Sequence, residues 1–184
     1  MWKLADQQWD GFSRVSSAAW LLFYGLFLIY AFMQHGSFLM IDLVNLVVHE
    51  GGHLLFGWCG PTLGIWGGTI LQWSVPLLLA VYFYTQRQIS AFAFCVFFFF
   101  ENFLYTATYM CDARAMALPL VTAGNSDYVE HDWHTIFSGL GVLQYDTLIG
   151  GSVRALGWCG MFGTVAWFSW RTHYAQPSRV QKLT

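Results

Sequence analysis

Charged residues are scarce in this sequence. Only 10% of the 184 residues are Asp, Glu, Lys or Arg, and the formal net charge at pH 7 is −2. A soluble domain usually carries about 25% charged residues, so this chain has too few to cover a water-facing surface. It also has no block of basic residues, and we therefore expect no nucleic-acid partner.

Other familiar signals are missing as well. The four cysteines stand apart, with no CxxC pair, so they predict neither a thiolate metal site nor a disulfide framework. The N-terminus shows no cleavable signal peptide with a basic start and a small-residue cleavage site. Residues 1–15 are amphipathic instead, and their tryptophans are typical of an interfacial segment.

Hydrophobic residues, in contrast, make up 57% of the chain, and they occur in runs long enough to cross a bilayer. We predict an all-α, polytopic integral membrane bundle: one membrane domain, 1–184, with five to six transmembrane helices, a polar loop at 111–132 and a polar C-terminal tail at 171–184. Residues 133–147 could be a half-span, a re-entrant helix or the start of a sixth helix. Lipids would surround the chain, and we expect a bacterial inner (cytoplasmic) membrane. The predicted spans are 17–34, 38–58, 63–84 (broken by Gly67, Gly68 and Pro76), 89–110 and 148–170.

Several of these apolar spans carry polar side chains. At 100° per residue, Asp42, Asn45, His49 and His53 fall within about 80° of one another. On the fourth span, the residues of a second polar stripe fall within about 40° of Glu101. Because polar faces avoid lipid, we expect the two stripes to meet. The second stripe comprises Glu101, Tyr105, Thr108 and Asp112.

The strongest motif is HEGGH, which begins at His49 and ends at His53. On a helix this spacing places both imidazoles on one face, where they can hold one Zn²⁺. Glu50 between them can take a proton from a metal-bound water. The two glycines are poor helix formers, but they would let another backbone or a substrate approach the metal closely.

A catalytic zinc needs a third protein ligand and an open position. The segment EHDWH at 130–134 offers Asp132 and His131 as equal candidates, with His134 close behind. Asp132 could instead orient a histidine or cap a helix. Glu101 is a fourth candidate, although with Asn102 it could also form an interhelical hydrogen-bonding pair. Gln72 could bind backbone freed by the Gly/Pro interruption, or a substrate strand.

HEGGH in the second span, the GGTILQWSVP segment after it and an acidic/histidine motif near the last spans resemble the site-2-protease-like membrane metallopeptidases. The resemblance implies zinc held within the bilayer by His49 and His53, Glu50 as general base, and Gln72 in a substrate-handling segment. That family usually takes its third ligand from an Asp-Gly motif that this sequence lacks, and EHDWH would be the substitute.

The sequence therefore favours an intramembrane zinc-dependent hydrolase, with a metallopeptidase first. Its substrate would be a transmembrane protein, or an ester or amide in a lipid. The alternative is a non-catalytic accessory subunit of a larger membrane complex that retains a metal or polar site. A third interpretation is a proton or metal-ion pathway lined by Asp42, Asn45, His49, Glu101 and Asp112.

Overall fold

The computed structural model describes residues 9–11, 13–34, 36–119 and 131–174. Within these residues the chain is all-helical, as the sequence predicted, with two short 3₁₀ turns at Gly57–Cys59 and Leu143–Tyr145. The α-helices are α1 (Arg14–Met33), α2 (Asp42–Phe56), α3 (Pro61–Thr85), α4 (Ile89–Cys111), α5 (Asp132–Gly139) and α6 (Asp146–Tyr174).

Three of the described helices, α1, α3 and α4, are long and apolar enough to cross a membrane. Their composition is compatible with a membrane protein. Large apolar side chains are exposed along α1, such as Leu26 and Phe32, where a soluble protein would place polar ones. The number of spans beyond these three stays a prediction.

The third helix corrects the predicted interruption. We expected Gly67, Gly68 and Pro76 to break this span, but α3 runs without a break from Pro61 to Thr85. All three residues are buried. A proline is tolerated inside a membrane helix when neighbouring groups compensate for the hydrogen bond it removes. Tertiary packing therefore preserves a helix that local propensity disfavours.

The helices pack in an order that puts α3 and α4 at the centre. α3 packs against α2 on one side and α4 on the other, and α6 packs along α4. A cluster of buried aromatic and aliphatic side chains joins α1, α4 and α6, in which the Tyr24 ring lies 4.7 Å from that of Phe97 and 5.8 Å from that of Phe168. This cluster packs α1 against α4 and α6.

The segments between the helices refine three predictions. Residue 111 ends α4 and residue 132 already starts α5, while 120–130 of the predicted polar loop lie outside the described residues. The ambiguous stretch 133–147 contains the eight-residue helix α5, which is about 12 Å long and too short to cross a bilayer. Of the predicted tail 171–184, the first four residues continue α6, and 175–184 lie outside the described residues. Most of the predicted interfacial segment also lies outside them.

An ion pair fixes the start of α6. The Arg114 guanidinium donates from Nε to Asp146 Oδ1 at 2.8 Å, and the amides of Arg114 and Thr147 also donate to this carboxylate. Burial by itself would raise the pKa of Asp146, but these hydrogen bonds outweigh it and hold the pKa below its ordinary value. The chain after α4 is thereby tied to the first turn of α6.

Candidate metal centre

The helix α2 brings the two histidines of HEGGH together. His49 and His53 are four residues apart, so their side chains lie on one face, and their ring centroids are 4.8 Å apart. His49 is buried and His53 is half-buried. The predicted pairing of these imidazoles is therefore present in the folded chain.

The third group comes from the start of α5. Asp132 Oδ2 lies 2.9 Å from His49 Nε2 and 3.1 Å from His53 Nε2, so one carboxylate oxygen faces both imidazoles. The ligand atoms of His49, His53 and Asp132 all lie within 4.8 Å of one another. These three residues could hold a metal ion.

The orientation of both imidazoles fits this role. His49 Nδ1 lies 3.1 Å from Gln72 Oε1, and His53 Nδ1 lies 2.8 Å from the Gly64 carbonyl oxygen. Both partners are acceptors, so each Nδ1 carries the hydrogen and donates it. Each Nε2 then faces the centre, where it donates a hydrogen to Asp132 that a bound metal would displace. A histidine held through its other ring nitrogen is the usual arrangement of a metal ligand. Gln72 thus orients His49.

Glycines let α2 and α3 approach closely enough for these contacts. A Cβ on Gly52 would collide with the carbonyl oxygen of Gly67, and a Cβ on Gly68 would lie 2.5 Å from His49 Nε2. Gly51, in contrast, has only Leu71 Cδ2 nearby, at 3.8 Å. The close backbone approach expected at HEGGH therefore occurs at its second glycine.

Two groups position Asp132. Its backbone amide donates to the Tyr109 hydroxyl at 3.2 Å, and His131 caps α5 by accepting from the amide of His134 at 3.2 Å. Burial by itself would raise the pKa of the Asp132 carboxyl, but the hydrogen bonds to both imidazoles hold it below its ordinary value. The carboxylate is therefore in the ionised form that a metal ligand requires.

The other candidate ligands lie elsewhere. His131 Nε2 is 3.4 Å from Asp112 Oδ2, and His134 Nδ1 donates to the Ala113 carbonyl at 2.8 Å. Glu101 accepts from Asn45. None of His131, His134 and Glu101 belongs to the group around the two histidines. Of the four candidates left open by the sequence, the fold brings only Asp132 to this centre.

The expected meeting of two polar stripes occurs beside the centre. Asn45 Nδ2 donates to Asp42 Oδ1 at 2.9 Å and to Glu101 Oε2 at 3.0 Å, and all three side chains are buried. Asn102, however, donates to the Phe98 carbonyl of its own helix at 2.8 Å rather than across the interface. This cluster joins α2 to α4.

Asp112 does not extend the stripe on α4. It lies at the C-cap, where the helix has ended, and its carboxylate accepts from the amides of Ala117 and Leu118 at 3.0 Å. Asp side chains often accept hydrogen bonds from nearby backbone amides in this way at turns. The prediction treated Asp112 as part of a continuous helix. Because Asp112 lies beyond the last turn of α4, its side chain does not follow the helical face of Glu101.

A cavity of about 240 Å³ opens next to the metal centre. It lies between α2 and α4 and is bounded at one end by His49 and Glu50 and at the other by Asp42. Most of the side chains along it are apolar. Among the residues that the structure describes, the centre is therefore open on one side rather than enclosed.

Sequence reasoning missed three contributors: the Gly64 carbonyl, Gly68 and Tyr109. The spacing of Gly64 and Gly68 is the small-xxx-small pattern of close helix packing, and it could have indicated where α2 approaches α3. No comparable local signal marks Tyr109. Comparisons of the chain with protein-family models, with curated proteins and with solved structures found no match.

Proposed function

We propose that this chain is a zinc-dependent hydrolase of the membrane interior and that its reaction is peptide-bond hydrolysis, by analogy with the site-2-protease-like metallopeptidases. The observation that carries the proposal is the convergence of His49, His53 and Asp132 beside Glu50 and an open cavity. Two imidazoles and one carboxylate with access on one side are the ligand set of many catalytic zinc sites.

The spacing of the donors supports zinc. Ligands at about 2.1 Å from a tetrahedral zinc are about 3.4 Å apart. The Asp132 oxygen lies 2.9 and 3.1 Å from the two Nε2 atoms, so these two distances need to lengthen by only a few tenths of an ångström. A softer, thiolate-binding metal is disfavoured because no cysteine belongs to the group.

Glu50 is the proposed general base. It follows the ligand His49 directly, and both line the same cavity. Zinc, when bound, polarises a carbonyl and acidifies water. Glu50 takes the proton of the attacking water and delivers it to the nitrogen of the amine that leaves. Asp132 and the two histidines would hold the zinc.

The proposed setting is the bilayer. Apolar side chains on the outer face of α2, such as Leu43 and Val47, are 67% and 72% exposed, and lipid would cover them. We propose that α2 and α6 lie in the membrane with α1, α3 and α4, which would give five spans, within the five to six expected from the sequence. A bacterial inner membrane remains the proposed location.

The test compares metal content and hydrolysis in four forms of the purified protein. Wild type should hold about one zinc per chain and cleave membrane peptides. Glu50→Gln should keep the zinc and lose cleavage, because it removes only the base. His53→Ala should lose both. His134→Ala is the matched control, since His134 is another histidine near the centre but outside the ligand group, and it should keep the zinc.

Two outcomes would overturn the proposal. If the wild-type protein contains no zinc when it is purified in the absence of chelators, HEGGH would only make polar contacts between helices. That result would favour the accessory subunit. Full hydrolysis by Glu50→Gln would show that a different group activates water, because an amide cannot accept the proton.

A further inference from the structure

The cavity beside the metal centre has a definite shape along α2. Asp42, Leu46 and Glu50 are four residues apart and line it in turn, so it follows two turns of the helix, about 12 Å. At the end near Asp42, the rings of Phe38 and Tyr105 meet with centroids 5.1 Å apart. At the other end stand His49 and the proposed base.

The helix packing explains why this space is open. α2 packs along α3, where Gly52 and Gly67 bring the two backbones together, and it touches α4 at few positions. The cavity occupies the resulting gap between α2 and α4. Leu43 lines this cavity, and 67% of its surface is exposed on the side of α2 that lipid would cover. A membrane-embedded molecule could therefore reach the centre sideways.

We propose that this cavity is a specificity pocket that takes a large apolar side chain of a membrane peptide, next to the bond that is hydrolysed. The inference rests on the proposed function and adds to it the kind of residue that is selected. The lining is apolar between its ends, as a pocket for leucine or phenylalanine requires. Its volume of about 240 Å³ equals that of about eight water molecules, enough for one such side chain.

The charges around the pocket favour a peptide over a phospholipid. Two carboxylates, Asp42 and Glu50, line the cavity, and no Lys or Arg is among its described lining residues. A phosphate or a free carboxylate held at the Asp42 end of the cavity, away from the zinc, would meet like charge, which disfavours binding. A peptide backbone is uncharged and avoids this repulsion.

The test measures binding separately from turnover. Two peptide hydroxamates, alike except for a leucine or an alanine side chain beside the zinc-binding group, are titrated into the zinc-loaded protein by calorimetry. Wild type should bind the leucine compound at least about tenfold more tightly, because one large apolar side chain in a fitted pocket gives 10- to 200-fold discrimination. Leu46→Trp, which fills the middle of the cavity, should abolish this preference and leave the affinity for the alanine compound within about threefold.

The matched control is Val47→Trp. Val47 is the next residue on α2, but it is 72% exposed and does not line the cavity, so this variant should keep the preference for leucine. Both variants should retain one zinc per chain, which excludes misfolding as the cause of a change.

The outcomes separate the two proposals. Equal affinities for leucine and alanine in wild type would overturn the pocket, even if peptides are hydrolysed. A preference that Leu46→Trp leaves intact would also overturn it. Selective binding without any peptide cleavage would support the pocket and contradict only the hydrolase. An octanoyl hydroxamate that binds more tightly than the leucine peptide, in a way that depends on Leu46, would identify a lipid chain as the occupant and refute the peptide.

Discussion

The substitution Gly68→Ala tests whether the close packing of α3 on α2 sets the metal centre. An added Cβ would lie 2.5 Å from Nε2, 2.6 Å from Cε1 and 2.7 Å from Cδ2 of the His49 ring. Ordinary contacts of a Cβ begin at about 3.4 Å. The imidazole must therefore move by nearly 1 Å, or the two helices must separate.

Neither movement preserves the centre. The His49 ring is buried, and its Nδ1 is held by Gln72 at 3.1 Å, so a displaced ring loses this hydrogen bond or moves Nε2 away from Asp132. Loss of an orienting partner alone typically lowers metal affinity 10- to 100-fold. We expect Gly68→Ala to weaken zinc binding by at least this factor.

Zinc affinity would be measured by competition with a chromogenic chelator in detergent, with circular dichroism as a check on helix content. Gly51→Ala is the control, because it adds the same methyl group close to the ligands at a position where the nearest atom of a neighbouring helix, Leu71 Cδ2, is 3.8 Å away. It should bind zinc like wild type and gain up to about 1 kcal/mol of helix stability. If Gly68→Ala binds zinc as tightly as wild type, the reasoning is refuted, because the His49 ring would then tolerate a Cβ at this position.

Three further predictions concern the surroundings of the centre. Gln72→Ala should weaken zinc binding about 10- to 100-fold in the same competition, because the acceptor that orients His49 is lost; Gln72→Glu, which keeps an acceptor, should retain most of the affinity. Tyr109→Phe should lower the free energy of unfolding by about 1–3 kcal/mol in chemical denaturation, because the buried amide of Asp132 loses its acceptor; an unchanged value would contradict this contact. Asp146→Asn should lower the thermal midpoint at neutral pH. The pKa of Asp146 is depressed in the folded chain, so its contribution is present above pH 4 and is lost as the pH falls further; the variant should therefore lose less stability than wild type between pH 5 and pH 3.

The Asp132 result shows why part of the centre was not predictable. The sequence offered Asp132, His131, His134 and Glu101 on similar terms, because each is a possible ligand by type. The choice depends on where the start of α5 sits against α2, and residues 79 to 83 positions apart are brought together there only by tertiary packing. Local spacing contains no information about that distance.

The role of α3 was also decided by packing. Read alone, Gly67, Gly68 and Pro76 weaken a helix, and the sequence predicted a break. In the folded chain Gly67 lies against the backbone of α2 and Gly68 against the His49 ring, so the same residues become the contact surface of a continuous helix. Helix propensity describes an isolated segment. Contacts with neighbouring helices can stabilise a helix whose propensity is low.

The sequence by itself determined two things about this protein. Its composition indicated apolar helices, since about 10% charge cannot cover a surface in water. The four-residue spacing of His49 and His53 put both imidazoles on one face, because helical geometry is local. Only the tertiary structure decided that Asp132 completes the group, that Gln72 orients His49 and that a cavity opens beside Glu50. Each of these depends on how α2, α3, α4 and α5 pack, and the energy that fixes packing is distributed over contacts between residues far apart in the chain.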